Sequence, residues 1–245
     1  MKKIFFLFFL FISITYSQNP KEIVKKSVDI LYGKKTFSVI TMKIIKPTWS
    51  RTITMKAWSY EPDYSLVYIT EPARDKGTVT LKRKNEVWNW LPNIQKTIKI
   101  PPSMMLASWM GSDFTNDDLV RQSSVVDDYE HKLISEEKFL DYDCYKIMLI
   151  PKPDAGIVWS KVILWISKKE YMQLKSEFYN EDGNLIRTMI GSKPKNFSGH
   201  LIPSYWEMIP NDKPGNKTSF EYNELDFNIN ITPEFFSIQN MSRVR

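Results

Sequence analysis

Beyond Gly33 the chain alternates apolar and polar residues with a period of two, in short runs that recur at even spacing. Such alternation marks half-buried β-strands. The runs are Thr36–Ile45, Trp49–Ser59, Tyr64–Thr70, Gly77–Arg83, Glu86–Leu91 and Gln95–Ile100. A second series comprises Tyr129–Lys138, Tyr142–Ile150, Ser160–Ile166, Tyr171–Tyr179, Leu185–Pro194, Leu201–Ile209 and Thr218–Phe227. Short polar turns join many of them, among them Lys84-Asn85, Leu140-Asp141, Glu181–Asn184 and Lys213–Asn216, and these suit antiparallel neighbours. In Tyr171–Tyr179, Met172, Leu174 and Phe178 oppose Gln173, Lys175 and Glu177, so one face is expected dry and the other wet. The expected fold is mainly β: a curled antiparallel sheet forming an incomplete, half-open β-barrel. A sheet of ~11–13 strands encloses more space than small side chains fill. Its concave hydrophobic face therefore needs a cover.

Two segments can supply one. The first is a helix that starts at an Asn19 N-cap with Pro20 in the first helical position and ends at Gly33. Ile23, Val24, Val28 and Leu31 fall on one face of it, with Lys21, Lys25 and Lys26 elsewhere. The second is WNWLPNIQKTIKIPPSMMLASWMGSDFTNDDLV, residues 88–120. Pro101-Pro102 ends a strand there. Ser103 is expected to cap a short turn bearing Met104, Met105, Leu106, Trp109 and Met110, Gly111 to break it, and Thr115–Asp118 to open a second turn with Leu119 and Val120 on its apolar side. Methionines adapt to varied apolar partners. From composition, the segment is equally a permanent plug of ordinary core or a movable lid over a ligand cavity.

The start of the chain, MKKIFFLFFLFISITYS, has two lysines, an apolar run and then small residues, the layout of a secretory signal peptide. The run is short for a membrane span, which needs ~20 residues, and no lipid-attachment cysteine follows it. Residues 1–17 are expected to be removed, leaving a single domain, 18–245. Loss of Lys2 and Lys3 lowers the net charge from +6 to +4.

Trp90-Leu91-Pro92, the strand with Lys96 and Lys99, Pro101, Met110-Gly111-Ser112-Asp113-Phe114 and Asp117-Asp118-Leu119 resemble the signature of the bacterial outer-membrane lipoprotein-sorting protein family. That family is LolA-like and related to the LolB and RseB folds. The resemblance runs from about Ser38 to Thr232–Phe236, and residues 88–119 are its specific part. It implies an incomplete barrel with lid helices over a cavity for the acyl chains of lipids or lipoproteins, with no cofactor and no chemistry. It further implies a monomeric periplasmic carrier working towards the outer membrane, with a resistance–nodulation–division (RND) type inner-membrane transporter or an outer-membrane acceptor as partner. The alternative is a lipid- or lipoprotein-sensing accessory of such an exporter, without carrier turnover. Expected cavity and lid residues are Trp49, Ile53, Met55, Trp88, Trp90, Met104, Met105, Leu106, Trp109, Met110 and Phe114. In the family an arginine on the sheet holds the lid closed. Arg51, which interrupts an apolar strand face, is the candidate latch, with Arg74, Arg83 and Arg121 open alternatives.

Other classes find little material. No G-x-S-x-G, phosphate-binding glycine loop or metal-ligand spacing occurs. His131 has no cysteine or acid at ligand spacing, His200 falls in a loop, and Asp117-Asp118 and Asp127-Asp128 diverge because neighbouring residues point apart. Asp117 and Asp118 read as first-turn acids suited to a helix dipole. Cys144 is expected to be a buried, inert thiol. No catalytic or metal residue is assigned. Lys82-Arg83-Lys84 and the aromatics could mimic a nucleic-acid stacking platform, but export and the modest charge argue against it.

Overall fold

The computed structural model describes residues 19–121 and 124–245. The expected signal peptide lies outside the described residues.

Helix α1 spans Pro20–Tyr32. The Asn19 side chain accepts the Lys21 amide at 3.0 Å, and Gly33 closes the helix with its N–H on the Asp29 carbonyl. Gly33 has φ +57°, and a Cβ there would come within 2.7 Å of the Phe227 ring, so only glycine fits.

Thirteen strands follow in one sheet. They are β1 (Lys35–Lys46), β2 (Trp49–Tyr60), β3 (Tyr64–Glu71), β4 (Val79–Arg83), β5 (Glu86–Leu91), β6 (Lys96–Lys99), β7 (Tyr129–Phe139), β8 (Tyr142–Pro151), β9 (Lys161–Ser167), β10 (Gln173–Tyr179), β11 (Leu185–Phe197), β12 (His200–Pro210) and β13 (Lys217–Asp226). Every pairing is antiparallel. The order is β6-β5-β4-β3-β2-β1-β13-β12-β11-β10-β9-β8-β7, an incomplete barrel whose free edges are β6 and β7.

This order explains the apolar stretch. The chain leaves the sheet at one edge, β6, and must re-enter at the other, β7. The connection crosses the concave face, and its residues cover that face. It contains a 3-10 turn, Pro102–Met104, and helix α2, Asn116–Arg121. The 3-10 turn is capped by Pro101 without any side-chain hydrogen bond, in place of the expected Ser103 cap.

The concave face carries two apolar groups. Ile23 and Val24 of α1 pack on Ile147, Leu149, Val162, Leu164 and Ile166 of β8 and β9. Full burial of such side chains contributes roughly 1.5–3 kcal/mol each. Trp109 packs on Met42, Ile44, Ile53, Met55 and Ile69 of β1, β2 and β3.

The expectation of one dry and one wet face fails along β3 and β4. There the convex face is covered as well: Leu66, Tyr68, Val79 and Leu81 pack against Ile231, Phe236, Met241 and Val244 of the C-terminal segment. The terminal residues fold back over that side in two 3-10 turns, Pro233–Phe235 and Ile238–Ser242.

Candidate functional site: the covered concave face

Under α1 and the crossing segment lie two adjoining lobes. The larger, about 180 Å³, is lined by Ile40, Met42, Met55, Ala57, Trp109 and Leu119, among others. The smaller, about 130 Å³, reaches Val162, Leu164, Phe178, Met189, Trp206 and Met208. Tyr32, Phe114, Phe220 and Tyr222 line both and so mark where the lobes meet. Strand alternation places these residues: Phe220 and Tyr222 share one face of β13, with Thr218, and β13 pairs with β1 at the middle of the sheet.

The crossing segment is fastened along its length. The Arg51 Nη2 donates to the Met110 carbonyl at 2.5 Å, and Nη1 stands 3.6 Å from Asp75 Oδ2. Lys46 pairs with Asp113, whose carboxylate also accepts from the Thr218 hydroxyl at 2.7 Å. The indole N–H of Trp109 donates to the Thr80 hydroxyl at 3.2 Å. Phe114 meets Phe220 with ring centroids 5.9 Å apart.

Helix α2 opens with a capping box. The Asp118 carboxylate accepts the Thr115 amide at 2.8 Å, while the Thr115 hydroxyl takes the Asp118 amide at 3.2 Å. The same carboxylate accepts both terminal nitrogens of Arg187 on β11, at 2.8 and 2.5 Å. The Arg187 guanidinium lies 4.5 Å from the Trp159 ring and 4.4 Å from the Phe178 ring. Asp118 thus does more than complement a helix dipole.

The expected cavity residues divide. Met55, Trp109 and Phe114 line the larger lobe, and Ile53 and Met110 pack beside it. Trp88 and Trp90 do not face the cavity: they pack on the convex cluster with Leu81 and Phe236. The cause is register. Asn89 pairs with Thr80, which faces the crossing segment, so the tryptophans on either side of Asn89 point away. Trp49, at the start of β2, is 46% exposed, and Met104 and Leu106 are 49% and 58% exposed. Met105 lines a polar surface cleft beside Glu86, Lys99 and Asp117.

Cys144 is fully buried, and burial pushes its thiol up to about 11. His131 holds the Val125 carbonyl at 2.8 Å through Nε2, and burial lowers its pKa.

Residues 61–243 match the model of a family of uncharacterized proteins. The chain belongs to this family. Its fold is LolA-like. A DUF1329 family protein from Desulfovibrio piger superposes with a TM-score of 0.83 at 21% identity, over 91% of this chain and 97% of that one. A putative outer membrane lipoprotein-sorting protein domain from Vibrio parahaemolyticus gives 0.81 at 22% identity, over 91% and 98%. A LolA superfamily protein from Nitrosomonas europaea gives 0.75 at 23% identity, over 90% and 98%. A search of curated proteins finds no match. Among the described residues no helix is long and apolar enough to cross a membrane, a statement that does not bear on spanning strands.

Proposed function

We propose that the protein is a periplasmic carrier. It binds acyl chains of lipids or lipoproteins on its concave face and moves them towards the outer membrane, with an RND-type transporter or an outer-membrane acceptor as its exchange partner. On this reading residues 1–17 direct export, residues 18–245 act as one monomeric domain, and no reaction is catalysed. The observation that carries the reading is the pair of joined apolar lobes beneath a segment held by polar contacts. The sorting protein domain from Vibrio parahaemolyticus, alike in fold, adds support.

The energetics fit transport better than storage. Each buried methylene contributes ~0.8 kcal/mol, and apolar burial makes little geometric demand. Each lobe is smaller than the ~300 Å³ at which ligand pockets begin. Cargo therefore enters only when the crossing segment lifts, and the arginine tethers are contacts that can break and reform. In this reading Arg51 is the latch, and Asp118–Arg187 a second one.

Uptake of a fluorescent fatty acyl probe tests the idea. The expected result is saturable, one-to-one binding that excess phospholipid displaces. Probe signal no higher than that of an unrelated exported protein would contradict it.

A further inference from the structure

A charged group stands beside this apolar cavity. Lys82 on β4 is only 6% exposed. It shares the concave face with Thr80, two residues earlier, which takes the Trp109 indole. Its ammonium donates to the Pro62 carbonyl at 2.6 Å. Among the described residues no carboxylate stands within ion-pair distance of it. An ammonium has three donors, so two remain beyond the Pro62 contact, and Lys82 lines a groove there. That groove, about 230 Å³, shares Tyr32, Ser59, Ser65 and Leu119 with the larger lobe. Of the acids around it, Asp63 attracts the ammonium without forming an ion pair, Asp29 and Asp127 are exposed and paired with Lys25 and Lys21, and Glu61 is exposed on the β2–β3 turn.

Two more polar groups lie where the lobes meet. Among the described residues the hydroxyls of Tyr32 and Tyr222 hydrogen-bond no protein group, and burial raises both phenols, Tyr222 to about 12. An apolar cavity with free donors at its waist and a buried cation in the adjoining groove suits an amphiphile of defined layout. Resting on the carrier reading above, we infer that the site takes a two-chain lipid with a phosphate head group. With the crossing segment lifted, one chain occupies the enlarged space of each lobe, the ester carbonyls accept from Tyr32 and Tyr222, and the phosphate accepts from Lys82. A charge-assisted hydrogen bond to a buried ammonium is the strong kind, and the bound anion relieves the cost of an unpaired buried cation.

The test loads the exported chain with phosphatidylglycerol or with diacylglycerol of the same chains, read by native mass spectrometry, with inorganic phosphate as competitor. The wild type is expected to prefer phosphatidylglycerol at least tenfold, and 1 mM phosphate to displace it only weakly, because the chains supply most of the affinity. Lys82→Met is expected to lower that preference at least tenfold, and Lys82→Arg to retain most of it. The Tyr32→Phe, Tyr222→Phe double variant provides a second reading if Lys82→Met folds poorly, and it is expected to weaken both lipids. A Lys82→Met protein with the wild-type preference overturns the head-group assignment, as does full displacement by equimolar phosphate. Binding of neither lipid by the wild type overturns the carrier reading itself, which is a separate result.

Discussion

Asp118 and Arg187 form a two-point ion pair, 2.8 and 2.5 Å, that ties helix α2 to β11 across 69 residues of sequence. Arg51 makes the matching tether on β2, to the Met110 carbonyl. The crossing segment is thus held to both halves of the sheet. In both arginines Nε is buried with no hydrogen-bond partner. A buried donor left unsatisfied costs about 1–3 kcal/mol, so each tether is weaker than its geometry suggests.

Removing one member of the buried pair leaves a charge stranded. Asp118→Ala is expected to lower unfolding free energy by about 3 kcal/mol, measured by urea denaturation. Adding Arg187→Met is expected to restore most of that loss, because the stranded charge goes with it. A double variant no more stable than Asp118→Ala would mean the pair does not work as a unit.

Arg51→Ala should act locally. It removes a charge-assisted hydrogen bond worth about 1.5–3 kcal/mol. Amide exchange at Trp109 and Ser112, whose N–H groups bond within the segment, is expected to quicken roughly 10- to 100-fold. Exchange in β8 and β9 under α1 should hold steady. Equal acceleration in both places would indicate global destabilisation and no latch.

Ala57 lines the larger lobe and not the smaller. Ala57→Phe fills the first lobe, so affinity for a two-chain lipid is expected to fall at least tenfold more than affinity for a single fatty acid. Titration with both ligands checks it. A parallel loss would mean the lobes do not take separate chains.

Burial lowers Lys82 from 10.5 to about 8. Between those values the unfolded chain holds a proton the native chain lacks, so the stability contribution of this residue rises with pH. The penalty is present in full below about 8 and gone above about 10.5. Lys82→Met is therefore expected to be more stable than the wild type at pH 7, by up to about 3 kcal/mol, in the absence of ligand. The gap should close between pH 8 and 10.5, followed by denaturant melts at each pH. A gap independent of pH would remove the buried charge as its cause.

The helix and all thirteen strands were legible because their signals are local: an Asn19-Pro20 start, a Gly33 stop, a period of two and polar turns. Sidedness was not. Alternation says that Trp88 and Trp90 share a face, but the register with β4 and a C-terminal segment more than 140 residues downstream decide that this face is the convex one. Trp49 follows the apolar parity of Ile53 and Met55 yet sits at the exposed start of β2. Asp118–Arg187 was hidden for the same reason, since no local pattern joins residues on α2 and on β11. Phe220 and Tyr222 carried a usable sign, two aromatics on one face of the strand that closes on β1. Lys82 read only as part of the basic run Lys82-Arg83-Lys84, and its neighbours in the fold are what bury it.

On the carrier reading the concave face holds acyl chains. The direct measurement is native mass spectrometry of residues 18–245, purified from a bacterial host without detergent, followed by solvent extraction of whatever accompanies them. The expected result is a co-purifying mass that resolves into phospholipid or acylated peptide, at one per protein. A clean apo mass, unchanged after incubation with lipid vesicles, would contradict it and make residues 100–128 ordinary core.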